Sequence, residues 1–269
     1  MTTMDIRPTE AAVPSAAVRA RDVLTSEWTK LRSVRSTYWT LLVAIVTTVG
    51  LSAIVAVAFA TPPPDHRPPI DPLLPSFASL EYAVLAVGVL GVLTFTSEHT
   101  TGLIRTTFTA VPRRRAVLAA KAVVAGTVTL VVGELVSFAS FLLAQAILSG
   151  NHLGVSLSHP GVPGAVLADG ILLSVCTLMG LGLGAIIRHT AAAVAVLAGL
   201  IYLSAILGLL PAPWNDRIGR FTLFYAAQQV VALHPRANLF SPALSMLVLI
   251  AWPAAALLGA AVLITRRDT

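Results

Sequence analysis

A compact polar and basic segment, residues 97–115, lies between two long apolar runs. It contains a carboxylate at Glu98, a glycine at Gly102, an isolated Arg105 and a Pro-Arg-Arg-Arg stop that begins at Pro112. A chain that only had to turn back between two apolar runs could use a much shorter connection. The segment is therefore predicted to form a surface for a cytosolic partner.

Hydrolysis of ATP by a P-loop in this chain is excluded by the sequence around its lysines. A P-loop needs Gly-Lys followed by Ser or Thr, because its backbone amides and the lysine together hold the phosphates. The two lysines of this chain are Lys30, followed by Leu31, and Lys121, followed by Ala122, and neither follows a glycine. Any ATP-driven work must come from another polypeptide, so the chain by itself is predicted not to be an enzyme.

The sequence also lacks the sets of residues that metal binding and hydrolase chemistry require. His152 and His159 share a loop, but no cysteine or carboxylate lies at ligand spacing beside them. There is no His-Glu-x-x-His and no Gly-x-Ser-x-Gly. We predict no catalytic, cofactor-binding or metal-binding residue in this chain.

Glu134 lies deep in the third long apolar run. An ionisable side chain in hydrocarbon is costly and usually faces protein or a wet cavity, which makes it a candidate for a transport pathway. A protonated or hydrogen-bonded carboxyl that holds two helices together explains the residue equally well. Asp169, nearer the outer face, is expected to be solvated.

The composition indicates that a bilayer is the main solvent. The chain has 269 residues, of which 56% are hydrophobic and 11% charged, with a mean hydropathy of +0.84; soluble domains carry about a quarter charged residues. A spanning helix needs roughly 20 apolar residues. Six segments approach this length: 39–60, 77–97, 117–148, 164–187, 190–210 and 243–264. We predict an all-α integral membrane protein with six transmembrane helices, forming one domain over 19–269 after a disordered cytosolic tail at 1–18.

The orientation of the chain in the membrane is predicted from the distribution of its basic residues. With six spans and a cytosolic start, only Arg67, Arg217, Arg220 and Arg236 of the 18 Lys and Arg lie outside. Cytosolic loops of membrane proteins are enriched in Lys and Arg, so both termini are predicted to be cytosolic. The net charge of +6 then reflects orientation and contact with anionic membrane lipids, with no nucleic-acid partner expected.

Two helices outside the spans are predicted. Leu24, Trp28, Leu31, Val34 and Tyr38 recur at steps of four and three, which puts them on one face of an amphipathic helix at the membrane surface. A plain solvated lead-in is the alternative. The outer segment 211–242 contains an apolar stretch, 221–233, that is too short to span and suits an interfacial or re-entrant helix.

The polar segment resembles the first cytosolic loop of the type-2 ABC exporter permeases. In that family a Glu, a Gly shortly after it, an apolar-basic stretch, and then Pro and basic residues precede the next span. Here these are Glu98, Gly102, Leu103-Ile104-Arg105, Pro112 and Arg113. Residues 26–37 are similar to the start of actinobacterial members, and the layout of a surface helix, six spans and a long outer segment covers the whole chain.

The resemblance implies the permease subunit of an exporter in the bacterial plasma membrane. It implies a dimer with a second permease subunit and a separate ABC ATP-binding subunit, which would bind ATP and Mg²⁺, so that this chain needs no cofactor of its own. The loop would form a coupling helix in a cleft of that partner. The residues that it assigns to coupling are Glu98, His99, Thr101, Gly102, Arg105, Pro112 and Arg113, and we expect Glu98 to lie at the start of a helix.

Two other functions fit the same residues. The chain could work alone as an ion- or proton-coupled secondary transporter with Glu134 as the relay. It could also be a membrane anchor or an immunity protein that sequesters a toxic peptide without transporting it. The apolar spans favour a lipid-like or amphipathic cargo over a polar one.

Overall fold

The computed structural model describes residues 19–61, 71–111, 113–207, 209–211 and 214–266, apart from the side chains of Leu80, Glu81, Arg105 and Ala205. Within these ranges all regular secondary structure is helical, which confirms the all-α prediction. The predicted tail, 1–18, lies outside them. The helices are α1 (Ala20–Ser33), α2 (Arg35–Ala60), α3 (Leu74–Phe77), α4 (Leu80–Thr100), α5 (Leu103–Ala110), α6 (Arg114–Ser149), α7 (Val162–Ile187), α8 (Thr190–Leu207), α9 (Trp214–Gly219), α10 (Leu223–Val231) and α11 (Pro242–Arg266).

Among the described residues, five helical segments are long and apolar enough to cross a membrane: α2, the α3–α4 pair, α6, α7 and α11. The chain is thus consistent with a multi-pass membrane protein. The predicted span at 190–210 corresponds to α8, which has 18 residues and ends at Leu207. At 1.5 Å per residue it is about 27 Å long, slightly shorter than the roughly 30 Å of bilayer hydrocarbon. The crossing by α8 therefore stays a prediction.

The long helices alternate in direction between two ends of a bundle. We call these the α5 end, where α4, α7 and α11 finish, and the α10 end, where α2 and α6 finish. A large core fills the middle and the α10 end, and includes Phe141, Leu172, Met179 and Leu197. A smaller core closes the α5 end around Phe95.

Glycines bring α4 and α7 into backbone contact. A Cβ at Gly91 would overlap the carbonyl oxygen of Thr177, and a Cβ at Gly180 would overlap that of Gly88. A Cβ at Gly184 would lie 2.9 Å from the carbonyl oxygen of Val92. Small residues allow such close approach between apolar helices, where no hydrophobic effect drives association. Gly180 and Gly184, four residues apart on α7, both lie at this contact.

The buried face of α1 is centred on a carboxylate. The backbone becomes extended at Val34, which separates α1 from α2, whereas the apolar pattern ran on to Tyr38. The buried residues of α1 are Val23, Glu27 and Leu31, while Trp28 is 49% exposed. An apolar pattern does not count Glu27, so the sequence did not identify this buried face, and contact of the apolar stripe with the membrane surface stays a prediction.

The outer segment forms the short helix that its composition predicted. α10 has nine residues and places Leu223, Ala226, Ala227 and Val231 in the main core. The hydroxyl of Thr222 caps its start by accepting from the amide of Tyr225 at 3.4 Å. α10 therefore packs within the bundle at the end opposite α5.

Candidate functional site

The centre of the predicted polar segment is the short amphipathic helix α5. Gly102 precedes it with φ of +73°, a left-handed conformation that glycine adopts without strain. Ile104 and Phe108, four residues apart, are buried in the core of the α5 end. The opposite face is exposed and carries Leu103 and Thr106. α5 is thus held by its buried residues Ile104 and Phe108, while its opposite face is exposed.

Arg114 ties α5 to two long helices. Its guanidinium lies 5.4 Å from the centre of the Phe108 ring. Its Nη1 also donates to the carbonyl oxygen of Ile264 near the end of α11, at 3.2 Å. A displacement of α5 would therefore disturb contacts with α6, which begins at Arg114, and with α11.

Beside α5, four charged residues form a buried ionic cluster, which we call the four-charge cluster. Lys121 Nζ lies 2.7 Å from Glu27 Oε2 and 2.6 Å from Glu98 Oε1. Lys30 Nζ lies 2.8 Å from Glu27 Oε1 and 3.0 Å from Glu98 Oε1. The members come from α1, α4 and α6, so the cluster joins the N-terminal helix to two candidate spans.

Because most of the cluster is buried, the pairing of its charges strongly affects the free energy of unfolding. Lys121 is 1% exposed, Glu27 4% and Glu98 6%, and only Lys30 reaches solvent. Burial lowers the pKa of Lys30, but hydrogen bonds and the negative charges of Glu27 and Glu98 outweigh it, so its pKa is raised. Two buried carboxylates and two ammonium groups compensate one another's charge. A buried charge that loses its partner is strongly destabilising.

The cluster also touches α5 directly. Lys30 Nζ donates to Thr107 Oγ1 of α5 at 3.3 Å, in addition to its two carboxylate partners. Lys121 Nζ has a third, longer contact of 3.5 Å to the carbonyl oxygen of Thr94. The cluster therefore connects the amphipathic helix to α1, α4 and α6 through hydrogen-bonding groups.

The structure corrects the expected positions of two charged residues. Glu98 lies in the last turn of α4, not at the start of a helix, and it is buried. Lys121 lies within α6, seven residues after its first residue, Arg114, and is buried in the bundle. Asp169 is 2% exposed, so the expectation that it is solvated was wrong.

The other residues assigned to coupling lie around the cluster. His99 is half-buried and its ring packs 5.2 Å from that of Phe95. Thr101 is exposed and donates to the carbonyl oxygen of Ser97 at 2.8 Å. Arg113 is exposed at the N-cap of α6. Pro112 and the side chain of Arg105 lie outside the described part of the chain, and so does the side chain of Glu81.

Sequence reasoning missed Glu27 altogether. It lies at the position where an apolar residue would continue the Val23–Leu31 face of α1. A carboxylate at a core position of one helix and a lysine inside the apolar run of another would have signalled a buried pair. No local pattern connects them, since Glu27 and Lys121 are 94 residues apart.

Glu134 lies half-buried at a close crossing of α6 and α7. A Cβ at Gly170 would lie 2.6 Å from the carboxyl carbon of Glu134, and a Cβ at Gly133 would lie 2.5 Å from the carbonyl oxygen of Gly170. Glu134 Oε2 is buried with no hydrogen-bond partner among the described residues. Asp169, next to Gly170, interacts electrostatically with Glu134. Both readings of Glu134, pathway and helix contact, stay open.

The described residues include no group of three or more His, Cys, Asp or Glu side chains that could hold a metal ion. What they bring together is an amphipathic helix with an open face and an ionic cluster behind it. The chain matches no known family model and no curated protein.

Proposed function

We propose that this chain is the permease subunit of an ATP-driven ABC exporter and that α5 is the element on which a separate ATP-binding subunit acts. The observation that carries the proposal is the construction of α5. It is a short helix whose apolar residues Ile104 and Phe108 are buried in a core shared with α1, α4, α6, α7 and α11, and whose opposite face stays exposed. The absence of a P-loop from the sequence agrees with a separate partner subunit that hydrolyses ATP.

In this proposal the chain crosses a bacterial plasma membrane six times, with α8 as the fifth crossing. The α5 end and both termini face the cytosol, in agreement with the distribution of basic residues. α1 lies at the inner surface, where its exposed Trp28 suits the lipid headgroup region. A second permease subunit completes the transport pathway between the two chains.

The four-charge cluster would transmit a displacement of α5 to the membrane-spanning helices. ATP binding would draw the partner subunits together and displace α5. The Lys30–Thr107 hydrogen bond and the Phe108–Arg114 contact then transfer this displacement to α1, α6 and α11. Because paired buried charges have few alternative partners, the helices they join tend to move as a unit. Glu98 and Lys121 thus act by positioning α4 and α6 and need not touch the partner.

Gly102 provides the sharpest test of this role. No atom lies within 4 Å of a Cβ placed there, so a substitution acts through the left-handed backbone alone. Gly102→Val should strain the turn by about 1–3 kcal/mol and displace α5. We expect less ATP-binding subunit to co-purify with the tagged chain, or the ATPase activity of the complex to fall severalfold.

Gly102→Asn is the matched control, because asparagine tolerates the left-handed conformation. It should keep both co-purification and ATPase activity near the wild-type level. Equal behaviour of the Val and Asn variants, with a full complement of partner in each, would contradict coupling through α5.

A further inference from the structure

A cleft of about 280 Å³ opens beside the four-charge cluster, between α1, α2, α4, α5 and α6. Its walls are mostly apolar and include Leu31, Leu90, Leu93 and Val124. A water molecule takes about 30 Å³ in the liquid, so the cleft has room for about nine. A single bridging water cannot fill it.

One atom of the cluster is left without a partner, on a residue, Glu98, that lines this cleft. The two lysines place their ammonium groups on three of the four carboxylate oxygens, with Glu98 Oε1 shared between them. Glu98 Oε2 is buried and accepts no hydrogen bond from any described residue. A buried acceptor without a donor costs free energy. A group that reached Glu98 Oε2 from the cleft would therefore have to be a hydrogen-bond donor.

The beginning of α2 lies on the rim of the same cleft. It favours an anion, whereas Glu98 Oε2 favours a hydrogen-bond donor. Ser36 and Thr37, in the first turn of α2, line it, as does Val34 at the N-cap. No side chain caps this helix and no acidic residue lies in its first turn. Amide groups at the start of a helix favour an anion, and phosphate in particular.

We propose that the cleft binds the headgroup of a phospholipid that carries a primary ammonium group, as phosphatidylethanolamine does. The ammonium donates to Glu98 Oε2, the phosphate lies at the start of α2, and the acyl chains follow the apolar walls. A purely cationic or purely anionic ligand would upset the balance of the two carboxylates and two lysines, whereas a zwitterion preserves it. The proposal requires that the helices span a bilayer, but not that the chain is a permease.

Lipid selectivity of the wild-type chain is the test. The purified chain is reconstituted in nanodiscs of equal parts phosphatidylethanolamine, phosphatidylcholine and phosphatidylglycerol with identical acyl chains, then extracted in detergent, and the retained lipids are quantified by mass spectrometry. Phosphatidylcholine has the same phosphate but no N–H donor. A hydrogen bond to a charged group makes a difference of about tenfold or more. We expect phosphatidylethanolamine to be enriched over phosphatidylcholine by about that factor.

A cleft-filling variant locates the binding. Val124 is half-buried and lines the cleft, whereas its neighbour Val123 is 56% exposed on the outer face of α6. Val124→Phe should abolish the enrichment, and Val123→Phe should leave it unchanged. Neither variant alters the four-charge cluster.

Three results would overturn the proposal. They are equal retention of the three lipids, which a cleft holding only water would give, enrichment of phosphatidylglycerol to the same level, and enrichment that survives Val124→Phe. None of them depends on an ATP-binding subunit, so the assignment as a permease would be unaffected.

Discussion

Replacing Lys121 by methionine should destabilise the protein by about 3–5 kcal/mol, because it leaves two buried carboxylates facing a single lysine. Lys121 contacts both Glu27 and Glu98 and is 1% exposed. Methionine has a similar length and tolerates an apolar site. The loss of stability would therefore measure the effect of removing the charge, not of changing the side-chain volume. The free energy of unfolding can be measured in mixed micelles by titration with a denaturing detergent.

The matched control for this substitution is Lys30→Met, which changes the only other lysine. Lys30 contacts the same two carboxylates, but its side chain is 34% exposed. Lys30→Met also leaves the two carboxylates facing one lysine, but the position that it vacates reaches solvent, so we expect a smaller loss than for Lys121→Met. The triple variant Glu27→Gln, Glu98→Gln and Lys121→Met should be more stable than Lys121→Met alone, since the one charge that it leaves, Lys30, reaches solvent. Similar stability of Lys121→Met and the wild type would show that the cluster is not buried as described.

Gly91→Ala should destabilise the bundle by about 3 kcal/mol or more. The added Cβ would overlap the carbonyl oxygen of Thr177. A backbone atom cannot move aside as the end of a flexible side chain can, so α4 and α7 must separate. Gly180→Ala, which meets the carbonyl oxygen of Gly88, should have an effect of the same size. The same unfolding titration measures both variants.

Gly199 on α8 is the matched control for these glycines. No atom lies within 4 Å of a Cβ placed there. Alanine is the better helix former by up to about 1 kcal/mol, so Gly199→Ala should leave stability unchanged or raise it slightly. Destabilisation of equal size at Gly91 and Gly199 would mean that glycine acts through helix propensity and that α4 and α7 are not in backbone contact.

The sequence predicted those parts of the fold that depend on local patterns. Long apolar runs became long apolar helices, because length and hydropathy are properties of a single segment. The polar segment at 97–115 became a turn at Gly102 followed by an amphipathic helix.

Pairings between distant segments could not be predicted in this way. Glu27 is locally one polar residue among many, and only the approach of α6 makes it the partner of Lys121. Lys121 itself resembles the polar end of a span, although the helix continues past it to Arg114. Asp169 fell near the predicted outer surface, and only the packing of α6 against α7 buries it.

The coupling role of α5 is the central claim, and crosslinking from its exposed face tests it most directly. A photoreactive amino acid at Thr106, on the open face of α5, should capture a polypeptide that contains an ATP-binding P-loop in the native membrane. The same probe at Leu258, 68% exposed on α11, should not capture it. Failure to capture any such polypeptide from Thr106, together with proton-driven transport by the purified chain alone, would contradict the account and favour a relay at Glu134.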